Sequence, residues 1–292
     1  MFYFIYMKYR IKFFSDFLSS IEVKKLYEKL YDTSNMSNYG IDKDIYITSN
    51  DDYTHAIIFN LATPVLRKDI KKSNVLGLAQ EPPIFIIQTA NENKLKYVIN
   101  NIGKYFIGDK VFDEPFLEKY SYLLHNKPLP YIPIKTKRMS FIVSQKKDYW
   151  FGYGYRYKLL NAILNAYLPI DIYGRVCKNN IKDARMKGEF NNNEPYEDYE
   201  FHICIENFIT NAYVSEKIIN PLMTYTIPIY LGCINIKEYF GDNVIIMSGN
   251  IEEDIKLIKD ILYYPEKYRR TIDIEMIKKK VSLLDNLDNI FS

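Results

Sequence analysis

The chain has 292 residues, which is long for one core and typical of two domains of ordinary size. Apolar residues make up 48% of it, and its 17 Phe and 28 Tyr provide ample area for burial, which excludes bulk disorder. Its 39 basic and 36 acidic residues balance too evenly for the basic face that nucleic-acid binding requires. We therefore expect a folded protein with no nucleic-acid partner.

The cysteines, the histidines and the N-terminus exclude further classes. Three cysteines at wide spacings and three histidines form no CxxC or zinc pattern, so we expect neither a disulfide framework nor a metal site. The N-terminal apolar run meets Lys8 and Arg10 long before the ~20 apolar residues that a membrane span needs. Its basic residues follow the apolar stretch, unlike those of a signal peptide. The run therefore predicts a first strand.

Apolar strand patterns alternate with helical patterns along both halves. The stretch 19–31 predicts a helix with Ile21, Leu26 and Leu30 on one face, and the apolar stretch 74–83 predicts a buried strand. Such alternation is typical of a parallel sheet covered on both faces. It predicts the α/β class.

A stretch with three prolines and four basic residues, 126–138, interrupts this alternation, and the pattern then restarts. The sequence thus predicts two Rossmann-like domains facing a central cleft, with ligands at the carboxyl ends of strands. The predicted domains are residues 1–134 and 135–292.

The segment Ser215-Glu216-Lys217 precedes an apolar helical run. Ser215 is a good N-cap and would place Glu216 and Lys217 in the first turn. Lysine opposes the helix dipole there unless an anion is present, and a phosphate or diphosphate would remove that conflict. Glu216 could then accept hydroxyl groups of a ribose or sugar. The alternative is an ordinary solvated helix start.

Further polar residues lie where predicted strands end or helices begin. Arg156 follows the "GYGY" segment at the predicted start of a helix over 155–167, and a second cation at a helix start suggests a shared anion. Glu206 and Asn207 end the strand pattern "FHICI", and Arg175 follows another strand. For each residue the alternative is a turn or surface position.

Glu81 ends the apolar strand of the first half, before Pro82 and Pro83. A carboxylate at that edge can serve as a general base if its geometry suits, and an ordinary turn acid is the alternative. The sequence contains no GxxxxGK[ST] loop, no GxSxG elbow and no strand-ending DxD pair. P-loop kinases, α/β hydrolases and a metal-bound diphosphate are therefore excluded.

The segment "FHICIENFITNAYVSEKIINPLMTYTIPIYLG" resembles the signature of the α-1,3-fucosyltransferases, glycosyltransferase family 10. That signature runs F-E-N, Y-[VI]-[ST]-E-K, an apolar helix and an [IV]-P-[IV] strand. "KTKRMSFIVSQ", "RYKLLNAIL" and "IDIYGR" resemble further family segments in the correct order. The resemblance covers residues 135–265 and implies a GT-B fold, with the donor bound by the second domain and the acceptor largely by the first.

The resemblance also implies roles for the matching residues. The general base would be Glu81, and the donor-binding residues would be Arg156, Asn207, Tyr213, Glu216 and Lys217, with Arg175 and Glu206 as additional donor-side candidates. The sequence departs from the signature at two positions. Ile205 replaces the usual phenylalanine, and Pro221 lies inside the helix, where a proline lowers helix stability by about 3 kcal/mol.

The reaction that the resemblance implies is an inverting, metal-independent transfer of fucose from GDP-fucose to a hydroxyl of a glycan acceptor, of the α-1,3 type, without a cofactor. The sequence shows no stem or membrane anchor like those of Golgi members, which indicates a cytoplasmic enzyme of microbial or viral type. The alternatives are a GT-B transferase with another nucleotide sugar and a non-catalytic glycan- or nucleotide-binding remnant.

Overall fold

The computed structural model describes residues 8–33, 39–40, 44–122, 126–147, 151–179 and 182–292. The first seven residues, which belong to the predicted first strand, lie outside these ranges. The chain divides into two compact units, residues 1–127 with 279–292 and residues 128–278. No helix in the described ranges has the length and apolar character to cross a membrane.

The first unit contains a six-stranded parallel sheet in the order β2-β1-β3-β4-β5-β6. Its strands are β1 (Tyr9–Phe14), β2 (Ile45–Ile47), β3 (His55–Phe59), β4 (Val75–Leu78), β5 (Lys104–Ile107) and β6 (Phe116–Glu118). Its N-terminal helices are α1 (Ser20–Leu30), α2 (Pro83–Thr89) and α3 (Glu92–Asn101). Because β2 and β3 lie on opposite sides of β1, the strand order reverses between β1 and β3.

Helix α1 buries a different face from the predicted one. Ile21 and Leu26 are each 55% exposed, whereas Val23 is buried. The ring of Tyr27 stacks on Phe13 of β1, with their centroids 4.2 Å apart. The sequence carries two overlapping apolar stripes, and this aromatic contact with the sheet selects the stripe through Val23 and Tyr27.

The second unit contains another six-stranded parallel sheet, in the order β12-β11-β10-β7-β8-β9. Its strands are β7 (Lys137–Ile142), β8 (Asp171–Tyr173), β9 (Met186–Gly188), β10 (Tyr199–Ile205), β11 (Ile227–Leu231) and β12 (Ile245–Ile246). Its helices are α4 (Phe151–Asn165), α5 (Glu216–Met223), α6 (Ile236–Phe240) and α7 (Ile251–Tyr263). The two parallel sheets confirm the predicted α/β class. In the second sheet the order reverses between β7 and β10, the position where open parallel sheets bind ligands.

The C-terminal segment packs on the first unit. The last helices are α8 (Ile274–Val281) and α9 (Leu287–Phe291). The Tyr9 hydroxyl donates to an Asp288 carboxylate oxygen at 2.5 Å, and Lys104 Nζ donates to the Ile290 carbonyl at 2.8 Å.

The two units of the structure differ in their boundaries from the predicted domains 1–134 and 135–292. The first unit ends at residue 127, inside the proline-rich stretch, and regains residues 279–292 at the C-terminus. The C-terminal contacts join side chains far apart in the chain, so no local sequence pattern indicates them.

Candidate functional site

A cavity of about 400 Å³ lies at the reversal point of the second sheet. It is lined by residues at and after the end of β7, between β9 and β10, within and after β10, and on α4 and α5. Its polar and aromatic lining residues are Ser144, Tyr153, Arg156, Phe190, Tyr196, His202, Asn207, Glu216, Lys217 and Asn220. Four of the predicted donor-binding residues therefore meet in one cavity.

Helix α5 begins as predicted, with Ser215 as its N-cap. The Ser215 hydroxyl oxygen accepts from the Lys217 backbone N-H at 3.4 Å. The fully buried Glu206 carboxylate accepts the Ser215 backbone N-H at 3.0 Å and the Ser215 hydroxyl at 2.6 Å. Glu206 thus fixes the start of α5 through Ser215, and it is not among the residues that line the cavity.

The ammonium group of Lys217 lies among oxygen atoms at the start of α5. Its Nζ is 2.9 Å from a Glu216 carboxylate oxygen, 3.1 Å from Ser215 Oγ and 3.7 Å from a Glu206 oxygen. Burial disfavours its charge, but the carboxylates of Glu216 and Glu206 outweigh that effect and raise the pKa of Lys217. Lys217 is therefore a cation whose side chain is 23% exposed.

Arg156 is the second cation of the cavity. Its Nε and Nη2 donate to the Ile205 carbonyl at 3.0 and 2.6 Å, and Nη2 also donates to Asn207 Oδ1 at 2.7 Å. The guanidinium lies over the Tyr153 ring, 5.0 Å from its centroid. Burial lowers the pKa of Arg156, yet a guanidinium stays protonated in proteins. Arg156 is thus held rigidly at the end of β10.

The predicted position of Arg156 at a helix start was wrong. Helix α4 extends over Phe151–Asn165, so Arg156 is at least the sixth residue of the helix and lies beyond its first turn. The two glycines of "GYGY" belong to the helix. A Cβ atom on Gly152 would overlap the Glu206 carbonyl oxygen, whereas the Gly152 N-H donates to the Asn207 carbonyl at 3.1 Å. Gly152 thus allows α4 to approach the end of β10.

We expect Gly152→Ala to destabilise the protein and Gly154→Ala to spare it. A Cβ on Gly154 would meet only the Lys147 carbonyl, at an ordinary 3.5 Å. Overpacking at Gly152 should cost ~1–3 kcal/mol. The matched change should gain up to ~1 kcal/mol, because alanine favours helices. Urea unfolding of both variants checks this, and equal stabilities would contradict the close-approach role of Gly152.

Pro221 lies at the sixth of eight positions in α5, close to the end of the helix. Its carbonyl accepts the backbone N-H groups of Thr224 and Thr226 at 3.0 and 2.9 Å. Lys135 Nζ then donates to the Thr224 carbonyl at 2.7 Å. The proline therefore lies in the final turn of α5, which these hydrogen bonds close. Because it is far from Ser215, the start of α5 keeps its geometry.

Two other candidates lie outside the lining of the cavity. Tyr213 is 5% exposed and is not a lining residue. Arg175 follows β8 with its side chain 73% exposed, 3.7 Å from the carboxylate of Glu189. Sequence reasoning missed the lining residues Ser144 and Asn220. Ser144 follows the carboxyl end of β7, and Asn220 lies one helical turn after Glu216. The position of each in the sequence could therefore have identified it as a candidate.

Glu81 follows the carboxyl end of β4 in the first unit. Asn60 Oδ1 accepts the backbone N-H groups of Gln80 and Glu81 at 3.0 and 3.4 Å, which fixes this loop before α2. A cavity of about 430 Å³ lies at the reversal point of this sheet, with Gln80 and Phe59 in its lining. Within the described ranges, no group of three or more His, Cys, Asp or Glu residues is arranged to hold a metal.

The two parallel six-stranded Rossmann-like units match the structures of glycosyltransferases with the GT-B fold. An α1,3-fucosyltransferase crystal structure with GDP matches with a TM-score of 0.54 and 17% identity, covering 97% of this chain and 90% of that one. An α-glucosyltransferase in complex with UDP-glucose and DNA matches with a TM-score of 0.53 and 11% identity, covering 97% and 100%. At these identities the likeness concerns the fold.

Residues 132–263 match the family model "Glycosyltransferase family 10 (fucosyltransferase) C-term". This confirms the resemblance read from the sequence. The Acanthamoeba polyphaga mimivirus protein "Putative fucosyltransferase R654" is 28% identical over 58% of this chain and 30% of its own length. Alpha-(1,3)-fucosyltransferase B of Drosophila melanogaster is 36% identical over 27% of this chain and 20% of its own length. The chain thus spans under a third of these relatives.

Proposed function

We propose that the chain is a fucosyltransferase that moves fucose from GDP-fucose to a hydroxyl of a glycan acceptor, by an inverting, metal-independent reaction of the α-1,3 type. The observation that carries the proposal is the convergence of Arg156, Lys217, Asn207 and Glu216 in one cavity of the family-10 region. Names of the relatives and the GDP-fucose complex of a fold neighbour support the donor and the linkage.

In this proposal the second unit binds the donor. Lys217 and Arg156 hold the diphosphate through charge-assisted hydrogen bonds, and the N-terminus of α5 adds favourable backbone dipoles. A bound diphosphate competes with Glu216 for Lys217, which leaves the Glu216 carboxylate, 42% exposed, to accept ribose or sugar hydroxyls. Asn207 and Tyr213 are neighbouring donor contacts, Arg175 is an outer one, and Glu206 positions Ser215.

The transfer itself needs a base and a stabilised leaving group. The Glu81 carboxylate takes the proton of the acceptor hydroxyl as its oxygen bonds to the anomeric carbon of fucose. The bond from that carbon to the diphosphate oxygen breaks, and GDP leaves with the electron pair. Lys217 and Arg156 stabilise the growing negative charge, so no metal is required for it. Attack opposite the leaving group inverts the anomeric carbon.

A donor screen tests the proposal. The protein is incubated with a glycan panel and GDP-fucose, UDP-glucose or a CMP-sugar, and the products are read by mass spectrometry. We expect a mass increase of one fucose, with GDP-fucose alone. Transfer from UDP-glucose would favour a GT-B transferase with another nucleotide sugar, because an α-glucosyltransferase in complex with UDP-glucose matches the fold with a TM-score of 0.53. Donor binding without any transfer would favour the non-catalytic alternative.

A further inference from the structure

Two buried side-chain atoms, Ser144 Oγ and Asn220 Oδ1, have no hydrogen-bond partner within the described part of the chain. Buried polar atoms in native proteins are nearly always paired, because an unpaired one loses its water without compensation. Both residues line the cavity that contains Arg156 and Lys217. Their vacant bonding positions therefore point to a ligand in this cavity.

The positions of these two residues indicate which part of a ligand they would contact. Asn220 lies four residues after Glu216 on the same face of α5. Along the helix axis it is therefore about 6 Å further than Glu216 from the helix start, where Lys217 lies. That spacing matches the step from the ribose of a nucleotide to its base. Ser144 follows β7 on the other side of the reversal point, and Tyr196 and Phe190 supply aromatic rings in the same lining.

We propose that Asn220 and Ser144 recognise the base of the donor nucleotide, a guanine, and so determine nucleotide specificity. The assignment rests on the proposed function, since it takes the diphosphate to lie at Lys217. No donor among the described residues reaches Asn220 Oδ1, and the 2-amino group of guanine supplies one. The Ser144 hydroxyl can donate to a base oxygen or nitrogen.

Inosine diphosphate, which lacks only the 2-amino group, isolates the Asn220 contact. We expect calorimetry to show GDP binding about tenfold more tightly than inosine diphosphate to the wild type. Asn220→Ala should bind both ligands alike. The Asn220 side chain also hydrogen-bonds Tyr196, so the ratio of the two affinities is the readout, not the absolute affinity. Asn289→Ala, an exposed change in α9, should keep the wild-type ratio.

Ser144→Ala provides a second readout. Ser144 Oγ has no hydrogen-bond partner among the described residues, so the ligand-free variant should melt at or above the wild-type temperature while its GDP-induced shift shrinks. A lower melting temperature with an unchanged shift would show a structural role and overturn the Ser144 assignment. Wild-type protein that binds GDP, with an Asn220→Ala ratio equal to that of the wild type, would overturn the Asn220 assignment alone. Wild-type protein that binds neither nucleotide would overturn the proposed function itself.

Discussion

Lys217→Ala is expected to reduce affinity for GDP by about 100-fold or more, equivalent to ~3 kcal/mol. The change removes a charge-assisted bond to the diphosphate. In the wild type the Lys217 ammonium lies 3.7 Å from the buried Glu206 carboxylate. Without that cation, the negative charge of Glu206 is no longer offset when the diphosphate approaches. Isothermal calorimetry measures the affinity, and circular dichroism with a melting curve confirms that the variant folds.

Lys178→Ala is the matched control, because Lys178 is an exposed lysine of the same unit, 3.1 Å from Glu189. It should bind GDP as the wild type does. Lys217→Arg should recover part of the affinity by restoring the charge. If Lys217→Ala instead binds GDP with wild-type affinity, the diphosphate does not lie at the start of α5.

Glu81→Gln is expected to lower the transfer rate by about 10²- to 10⁴-fold with no change in GDP affinity. Glutamine has the same shape but cannot take the acceptor proton. The two bonds that Asn60 accepts come from backbone N-H groups, so the loop should keep its conformation. Single-turnover transfer from GDP-fucose and GDP calorimetry, on the same protein sample, separate the two effects.

Glu118→Gln, an exposed carboxylate on β6, serves as the control and should transfer at the wild-type rate. A Glu81→Gln protein that transfers normally would exclude Glu81 as the base. Loss of GDP binding in Glu81→Gln would instead indicate a structural effect of the substitution.

Local chemistry made part of the site predictable. The preference of serine for the N-cap placed Ser215 correctly, and so placed Glu216 and Lys217 in the first turn of α5. Uninterrupted apolar strands predicted parallel sheets, and parallel sheets direct attention to the polar residues after strands. Asn207 was found by that rule.

Other features depend on contacts that local patterns do not encode. The length of α4 before Arg156 depends on Gly152 fitting against the Glu206 carbonyl, a contact across elements. The face that α1 buries depends on Phe13 of the neighbouring strand. Asn220 became visible as a candidate only when the packing showed that its side-chain oxygen is buried with no hydrogen-bond partner in the described ranges.

The most direct test of the central claim is calorimetric titration of the wild-type protein with GDP, UDP and CMP, followed by competition among them. The claim is that the cavity containing Arg156 and Lys217 binds a guanosine diphosphate. We predict one site per chain that prefers GDP to UDP and CMP by at least about tenfold. The loss of the Asn220 and Ser144 contacts to the base, when the base is not guanine, readily accounts for a factor of that size. Absence of GDP binding, or a preference for UDP, would contradict the account.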